Sequence, residues 1–157
     1  MIIPMIIRTS FSYKTLAVMA RQMKHELTFK TNSIFKSVTY DTDAQSWYLV
    51  FAGTVVFNVA AFWRLLDNKQ IKLVSLDHGH QFGLTKPVDL SQSLTDALTG
   101  KTLLEIKVKQ NTADLLLTLT DNLEIEIFIS SSGYETYNFS VDRKNYIGLG
   151  SGGHCCV

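Results

Sequence analysis

The feature that most constrains the fold is a period of two in the apolar residues from about residue 34 onward. Around residue 106, the even positions are the apolar Leu104, Ile106 and Val108. The odd positions between them are the charged Glu105 and Lys107. Successive side chains of a strand point to opposite faces, so a half-buried strand repeats every second residue. The alternation therefore predicts antiparallel strands with one face in water.

Runs of β-branched, aromatic and alternating residues between polar turns extend this prediction over most of the chain. The expected strands are Ile34–Tyr40, Trp47–Ala52, Val55–Leu65, Gln70–Leu76, Thr102–Lys109, Asp114–Thr120, Leu123–Ser130, Glu135–Val141 and Tyr146–Leu149. Pro87 interrupts the pattern, after which Asp89 or Ser91 can cap a short helix near residues 90–99. A second, amphipathic helix is expected at Ser12–Leu27, where apolar residues recur at helical spacing. We therefore expect an α+β fold: a single mainly antiparallel sheet, or open barrel, of about seven to nine strands, with an N-terminal helix and a short helix near 90–99.

Length and charge indicate a single domain with two differently charged parts. The chain has 157 residues, 46% of them hydrophobic and 18% charged, which is enough apolar material for one core and too much for a disordered chain. Residues 1–36 carry six basic side chains and one acidic, a net charge of +5, whereas the rest carry nine and thirteen, a net charge of −4. We expect residues 1–30 to form a basic helical leader on a β-rich body at 33–150. An alternative is that translation begins at Met23 and that the leader is an appendage.

The segment Ala44–Trp63 has no charged residue over a length that would span a membrane. Polar residues interrupt it, and its Val, Phe, Trp and Tyr content favours strands, with Gly53 at the turn of a hairpin. We expect a buried hairpin and no membrane span. The first residues lack the basic start and cleavage site of a signal peptide, and the two adjacent cysteines fit a reducing compartment. The expected location is the cytoplasm.

The sequence Asp77-His78-Gly79-His80 is the one cluster with metal-ligand chemistry, since imidazole nitrogens and a carboxylate can hold a divalent ion. A metal-binding protein or metal-dependent enzyme using Asp77, His78 and His80 is therefore an alternative function. The spacing matches no established ligand set, so an exposed turn after a strand is the preferred interpretation.

Other catalytic and binding patterns lack the context that they need. Gly148, Gly150 and Gly153 match a dinucleotide fingerprint, but no helix follows to receive the pyrophosphate. No nucleophile elbow occurs, and the strands are acidic where an RNA-binding sheet would be basic. We expect no enzyme, no cofactor and no nucleic-acid partner, and the oligomeric state is left open.

Several short strings resemble a group of small uncharacterised bacterial α+β proteins that are similar to predicted immunity proteins of polymorphic toxin systems. The strings are Trp63-Arg64-Leu65, Lys86-Pro87-Val88-Asp89, Leu98-Thr-Gly-Lys101, Asp114-Leu-Leu-Leu117 and Ser131-Ser-Gly-Tyr-Glu-Thr-Tyr137. The resemblance covers about residues 63–150. It implies a non-enzymatic protein-binding domain, with a bacterial toxin domain as its partner, and it brings no catalytic residue.

The loop before the last strands fits a protein contact. Its Ser and Tyr residues are of the kind that adaptable contact loops use, and the acidic body would complement a basic partner. The predicted partner-binding residues are Ser131, Ser132, Tyr134, Glu135 and Tyr137. The alternative is a plain hairpin connection whose Tyr134 and Tyr137 pack on the sheet edge.

Overall fold

A computed structural model describes residues 25–157, and almost all of the described chain is strand or turn. The strands are β1 (Leu27–Asp41), β2 (Ser46–Phe51), β3 (Val56–Val59), β4 (Phe62–Asp67), β5 (Gln70–Val74), β6 (Thr102–Val108), β7 (Leu115–Leu119), β8 (Leu123–Phe128), β9 (Tyr137–Val141), β10 (Lys144–Leu149) and β11 (Gly153–Cys156). One α-helix, α1, spans Leu90–Leu98, and single 3-10 turns lie at Ser75–Asp77 and Gly150–Gly152. Within residues 25–157, no helix is long and apolar enough to cross a membrane.

All eleven strands belong to one antiparallel sheet in the order β11-β10-β9-β3-β2-β1-β6-β7-β8-β4-β5. The predicted fold class is therefore wrong: the sheet has eleven strands instead of seven to nine, and the described residues hold one α-helix. Most of the predicted N-terminal helix and leader lies outside the described residues. At its C-terminal end the prediction fails, because Leu27–Lys30 pairs with β6 as part of β1. The alternation of the segment Thr28–Ser33 was too weak for the sequence to extend the strand that far.

The sheet curves back on itself because β1 belongs to two halves. Residues 27–34 pair with β6, residues 35–41 pair with β2, and a register shift follows Lys30. Five strand spacings separate β2 from β4, roughly 24 Å in a flat sheet. The ring centroids of Trp47 in β2 and Trp63 in β4 are nevertheless 5.1 Å apart. The inner faces of the two halves therefore pack together.

The core fills the space between these inner faces with alternate residues of the strands. In β7 and β8 every second residue is buried, which confirms the alternation there: Leu115, Leu117, Leu119, Leu123, Ile125 and Ile127. In β6 the prediction is wrong for Leu104, which is exposed while Leu103 is buried. A register shift between Leu103 and Glu105 turns the side chain of Leu104 outward.

The segment Val55–Leu65, expected to be one strand, is two strands in different halves of the sheet. β3 pairs with β2 and β9, whereas β4 pairs with β8 and β5. Ala60 and Ala61 form the corner between them, and the amide of Ala60 donates to the carbonyl of Thr136 at 2.9 Å. The corner brings the loops on both halves into one region.

The helix α1 confirms the short helix predicted near 90–99. The Asp89 carboxylate accepts from the amides of Ser91 and Gln92 at 2.9 and 3.4 Å, so Asp89 is the N-cap. Leu90, Leu94 and Leu98 are buried at helical spacing, and the helix packs against β1.

Candidate functional site

Four connecting segments gather around the corner at Ala60 and Ala61, and we call them the loop cluster. They are the β1–β2 turn at 42–45, the corner at 60–61, the loop at 75–89 and the loop at 129–136. Two cavities show that these segments are neighbours, because each is lined by residues from at least three of them. The loop cluster is therefore one continuous surface assembled from distant parts of the sequence.

The loop at 75–89 presents large apolar side chains to solvent. Leu76, Phe82 and Leu84 are 68%, 65% and 54% exposed. Four of the eight exposed large apolar side chains in the described chain belong to the loop cluster, these three and Tyr134. Exposed large apolar side chains concentrated in one region of this kind are typical of a contact surface.

Backbone hydrogen bonds hold the 75–89 loop in one conformation. Gly79 and Val88 are joined by an N–H···O bond of 2.9 Å, and the Val88 amide donates to the His80 carbonyl at 2.8 Å. At the tip, the Leu84 amide donates to the Gln81 carbonyl at 2.7 Å, and the Gln81 side-chain amide donates back to the Leu84 carbonyl at 2.8 Å. The tip is thus fixed by its own bonds while its apolar side chains remain exposed.

His78 anchors the base of this loop. Its ring lies 4.5 Å from the ring of Tyr40 and 4.9 Å from that of Trp47, centroid to centroid. Its Nδ1 accepts from the Leu90 amide at 3.2 Å, which ties the loop to the first turn of α1. The ring therefore has a structural role that fixes its tautomer, with the proton on Nε2.

The predicted metal alternative used His78 together with Asp77 and His80. The His80 ring stacks on Phe82 at 5.3 Å and is exposed with the loop tip, away from the packed His78 ring. Among residues 25–157, no three His, Cys, Asp or Glu side chains are grouped to hold a metal ion. The sequence neighbours thus do not converge into a ligand set in this structure.

The predicted partner-binding residues of the loop at 129–136 fall into two groups: those that shape the loop and those that it exposes to solvent. Ser131 Oγ accepts from the amides of Gly133 and Tyr134 at 3.2 and 3.0 Å, so the Ser131 side chain shapes the loop. The Ser132 carbonyl accepts from the Ser151 hydroxyl at 2.5 Å, which ties the loop to the 3-10 turn before β11. Tyr134 is 80% exposed, so its side chain is available for contact with a partner.

Tyr137 is 3% exposed, so its side chain is not available for the predicted contact with a partner. Its hydroxyl donates to the Ala113 carbonyl at 2.6 Å, and its ring covers Gly148 on β10. Burial raises the pKa of the Tyr137 hydroxyl far above its ordinary value, so the hydroxyl keeps its proton. Glu135, by contrast, is exposed beside the smaller of the two cavities.

The larger cavity of the loop cluster, about 410 Å³, is mainly aromatic and apolar. Tyr40, Trp47, Phe62 and His78 form its walls, with Leu76 at its rim. The smaller cavity, about 190 Å³, has a mixed polar and apolar lining and lies on the outer face of the sheet. Its lining includes Ser46, Asn58, Glu135, Thr136 and Asn138.

The charge of the loop cluster and its border is acidic. Asp41, Asp43, Asp77, Asp89 and Glu135 lie on or next to its segments, against one lysine, Lys86. None of these acids pairs with a basic side chain of the described residues. The six ion pairs of the described chain lie elsewhere, on the strands and on the hairpins at 67–69 and 121–122. The acidic charge of the body is therefore least compensated at the loop cluster.

The C-terminal cysteines, Cys155 and Cys156, belong to the last strand of the sheet. β11 pairs with β10, and His154 and Cys155 are buried. Burial raises the pKa of the Cys155 thiol and lowers that of the His154 imidazole. Both groups are therefore held neutral, which is the opposite of a thiolate prepared for nucleophilic attack.

Comparison of the chain with protein-family models, curated proteins and solved structures finds no match. The functional argument for this chain thus rests on its own residues.

The exposed apolar residues Leu76, Phe82 and Leu84 were missed at the sequence level. The signal that could have found them is a Leu and a Phe placed among Gly, Thr, Lys and Pro at 79–87, where a loop needs no large apolar residue.

Proposed function

We propose that this chain is a non-enzymatic protein-binding domain and that the loop cluster is its contact surface. The observation that carries the proposal is the ordered 75–89 loop, which exposes Leu76, Phe82 and Leu84 while its backbone is fixed by its own hydrogen bonds. Water contact of these side chains is unfavourable by about 25 cal/mol for each Å² of apolar surface. Burial against a partner removes that cost.

The fixed backbone favours binding for a second reason. Ordering a flexible loop on association opposes binding, and a loop that is already ordered avoids that loss. The exposed ring of Tyr134 adds a large amphipathic group with few rotatable bonds on the neighbouring loop.

The acidic character of the loop cluster indicates a basic partner. Complementary charge mainly speeds encounter and rejects acidic competitors. A cytoplasmic immunity protein that masks a basic toxin, such as a nuclease domain, fits this surface.

The test is complex formation with the product of the adjacent gene, measured by native mass spectrometry and then as a dissociation constant. We expect a 1:1 complex, and we expect the double variant Phe82→Ser/Leu84→Ser to weaken it by roughly tenfold or more, as for residues at the centre of an interface. The matched control is Ile71→Ser on the edge strand β5, an equally exposed apolar side chain outside the loop cluster.

Two results would overturn the proposal. One is the absence of any complex with a toxin-like neighbouring product. The other is a complex that Ile71→Ser weakens as much as the double variant does, since this would place the contact outside the loop cluster.

A further inference from the structure

The smaller cavity contains buried polar groups that the fold leaves without partners. Ser46 and Thr136 are both more than nine-tenths buried, and their hydroxyls form no hydrogen bond with the described residues. Two further side chains of the lining, Asn58 and Asn138, face each other across β3 and β9. Glu135 supplies the cavity's one formal charge. We call this cavity the Ser46–Thr136 pocket.

Unpartnered buried hydroxyls are uncommon because each costs about 1–3 kcal/mol relative to a satisfied one. Two of them on one small cavity therefore point to a polar group that enters it. The volume of about 190 Å³ has room for several waters or for the head of one polar side chain.

We infer that the Ser46–Thr136 pocket receives an arginine side chain of the protein partner; this inference rests on the proposed function and names the chemistry of the partner. Its lining contains the Glu135 carboxylate, the amide oxygens of Asn58 and Asn138 and, just beneath the surface of the free chain, the hydroxyls of Ser46 and Thr136. No basic side chain lines it. A guanidinium has five N–H donors and accepts nothing, so it matches a set of oxygens around a single negative charge.

The neutral oxygens favour a guanidinium over an ammonium. A guanidinium is planar, is more weakly hydrated and spreads its donors over a wide fork, so several neutral acceptors can bind it at once. An ammonium is a compact, strongly hydrated charge with three donors, so it has fewer donors for these acceptors and loses more hydration on entering the pocket. The Asn58 Nδ2 already donates to the Tyr48 hydroxyl at 3.2 Å, which leaves the Asn58 Oδ1 as the atom available to an incoming donor.

The surrounding charge agrees with this assignment. Asp41 and Asp43 lie in the turn beside Ala44, which lines the pocket, and neither pairs with a basic side chain of the described chain. The pocket thus lies within the acidic part of the loop cluster, where a basic side chain of the partner would arrive.

The test uses the full chain and three small probes, followed by amide NMR. The probes are N-acetyl-arginine N-methylamide, its neutral isostere N-acetyl-citrulline N-methylamide, and N-acetyl-lysine N-methylamide. We expect saturable shifts of the Asn58 and Asn138 side-chain amides and of the Thr136 backbone amide with the arginine probe. The affinity for the citrulline and lysine probes should be at least roughly tenfold lower.

Variants distinguish binding of the probe in the pocket from its general attraction to surface charge. Glu135→Gln should lower the affinity for the arginine probe roughly fivefold or more. Asp142→Asn in the β9–β10 turn should leave this affinity unchanged. The double variant Ser46→Ala/Thr136→Val should also weaken the probe, without a loss of stability, since it removes hydroxyls that have no partner.

The inference is overturned if the shifts do not saturate, if the citrulline or lysine probe binds equally well, or if Asp142→Asn has the effect of Glu135→Gln. Failure of the pocket and failure of the proposed function are distinguishable. A protein complex that forms while the arginine probe does not bind overturns the pocket alone. Binding of the probe without any protein complex overturns the proposed function.

Discussion

At the scale of single residues, the glycines near the C-terminus follow packing needs, not nucleotide chemistry. A Cβ on Gly148 would lie 2.3 Å from the ring of Tyr137, and one on Gly150 would lie 2.4 Å from the backbone of Gly133. Gly152 has a φ of +80° and approaches the Asn111 carbonyl. Two of the three glycines that match a dinucleotide fingerprint, Gly148 and Gly150, therefore mark close approaches around β10 and β11.

Gly148→Ala tests this interpretation. The added methyl group overlaps a fully packed ring on the neighbouring strand, and overpacking of this kind costs typically about 1–3 kcal/mol. We expect a lower urea midpoint with an unchanged m-value. Gly133→Ala is the matched control, because nothing lies within 4 Å of its Cβ position. Equal stability of the two variants would contradict the close approach of Tyr137.

His154 predicts a pH dependence of the unfolding free energy. Burial lowers its pKa below the ordinary 6.5. Above that value the imidazole is neutral in both the folded and the unfolded chain, and below it the unfolded chain takes up the proton first. Stability should therefore fall as the pH drops below about 6.5, by up to about 1.4 kcal/mol per pH unit, until the folded pKa is reached.

The measurement is urea unfolding between pH 5 and 7, a window above the ordinary pKa values of Asp and Glu. Glu105 lies outside this window, because the Lys30 ammonium beside it holds the pKa of that carboxyl below its ordinary value. His154→Gln should reduce the slope of the unfolding free energy against pH by the contribution of one proton. A wild-type protein as stable at pH 5 as at pH 7 would contradict the burial of a neutral His154.

At the scale of elements, α1 depends on its first residue. The Asp89 side chain satisfies two amides of the first turn, and loss of an N-cap costs about 0.5–2 kcal/mol. We expect Asp89→Ala to lower the unfolding free energy by about 1 kcal/mol in urea denaturation. Asp96→Ala removes only an exposed bond from Gln92 one turn away, a pair worth about 0.2–0.5 kcal/mol. A larger loss with Asp96→Ala would contradict the capping role.

The elements that sequence reasoning could predict are those with a local cause. The strands β7 and β8 follow from their alternation, and α1 follows from Pro87, its cap and its leucine spacing. Each of these signals resides within one short segment, so no knowledge of the partner strands is needed.

The elements that sequence reasoning could not predict depend on pairing between strands that are far apart in the sequence. In Val55–Leu65 the buried positions keep the same period of two through the corner at Ala60, so the pattern cannot show that the chain changes from one half of the sheet to the other. Leu104 faces outward because of a register shift against β7, which its own segment does not reveal. The pairing of β11 with β10 likewise depends on Gly148 accommodating Tyr137.

At the scale of the whole molecule, the curvature of the sheet creates the candidate site. The loop cluster combines four segments that are up to about ninety residues apart in sequence, and only the corner at Ala60 and Ala61 brings them together. Sequence reasoning could find separate pieces of it, namely the loop with Tyr134 and the histidines at 78 and 80. It could not join them, because their proximity follows from the strand order.

The unprotected edges of the sheet offer the main alternative contact surface. β5 and β11 are edge strands, and exposed edges invite pairing with another chain. Lys72 on β5 is a charge of the kind that discourages such pairing. We expect the partner on the loop cluster, where Leu76, Phe82, Leu84 and Tyr134 are exposed, and not on either edge.

Hydrogen exchange of the chain, alone and in complex with the product of the adjacent gene, tests that central claim most directly. The account predicts slowed exchange at 41–46, 75–89 and 129–136, with the amides of β5 and β11 unchanged. Protection confined to β5 or β11, with the loop cluster exchanging as in the free chain, would contradict it.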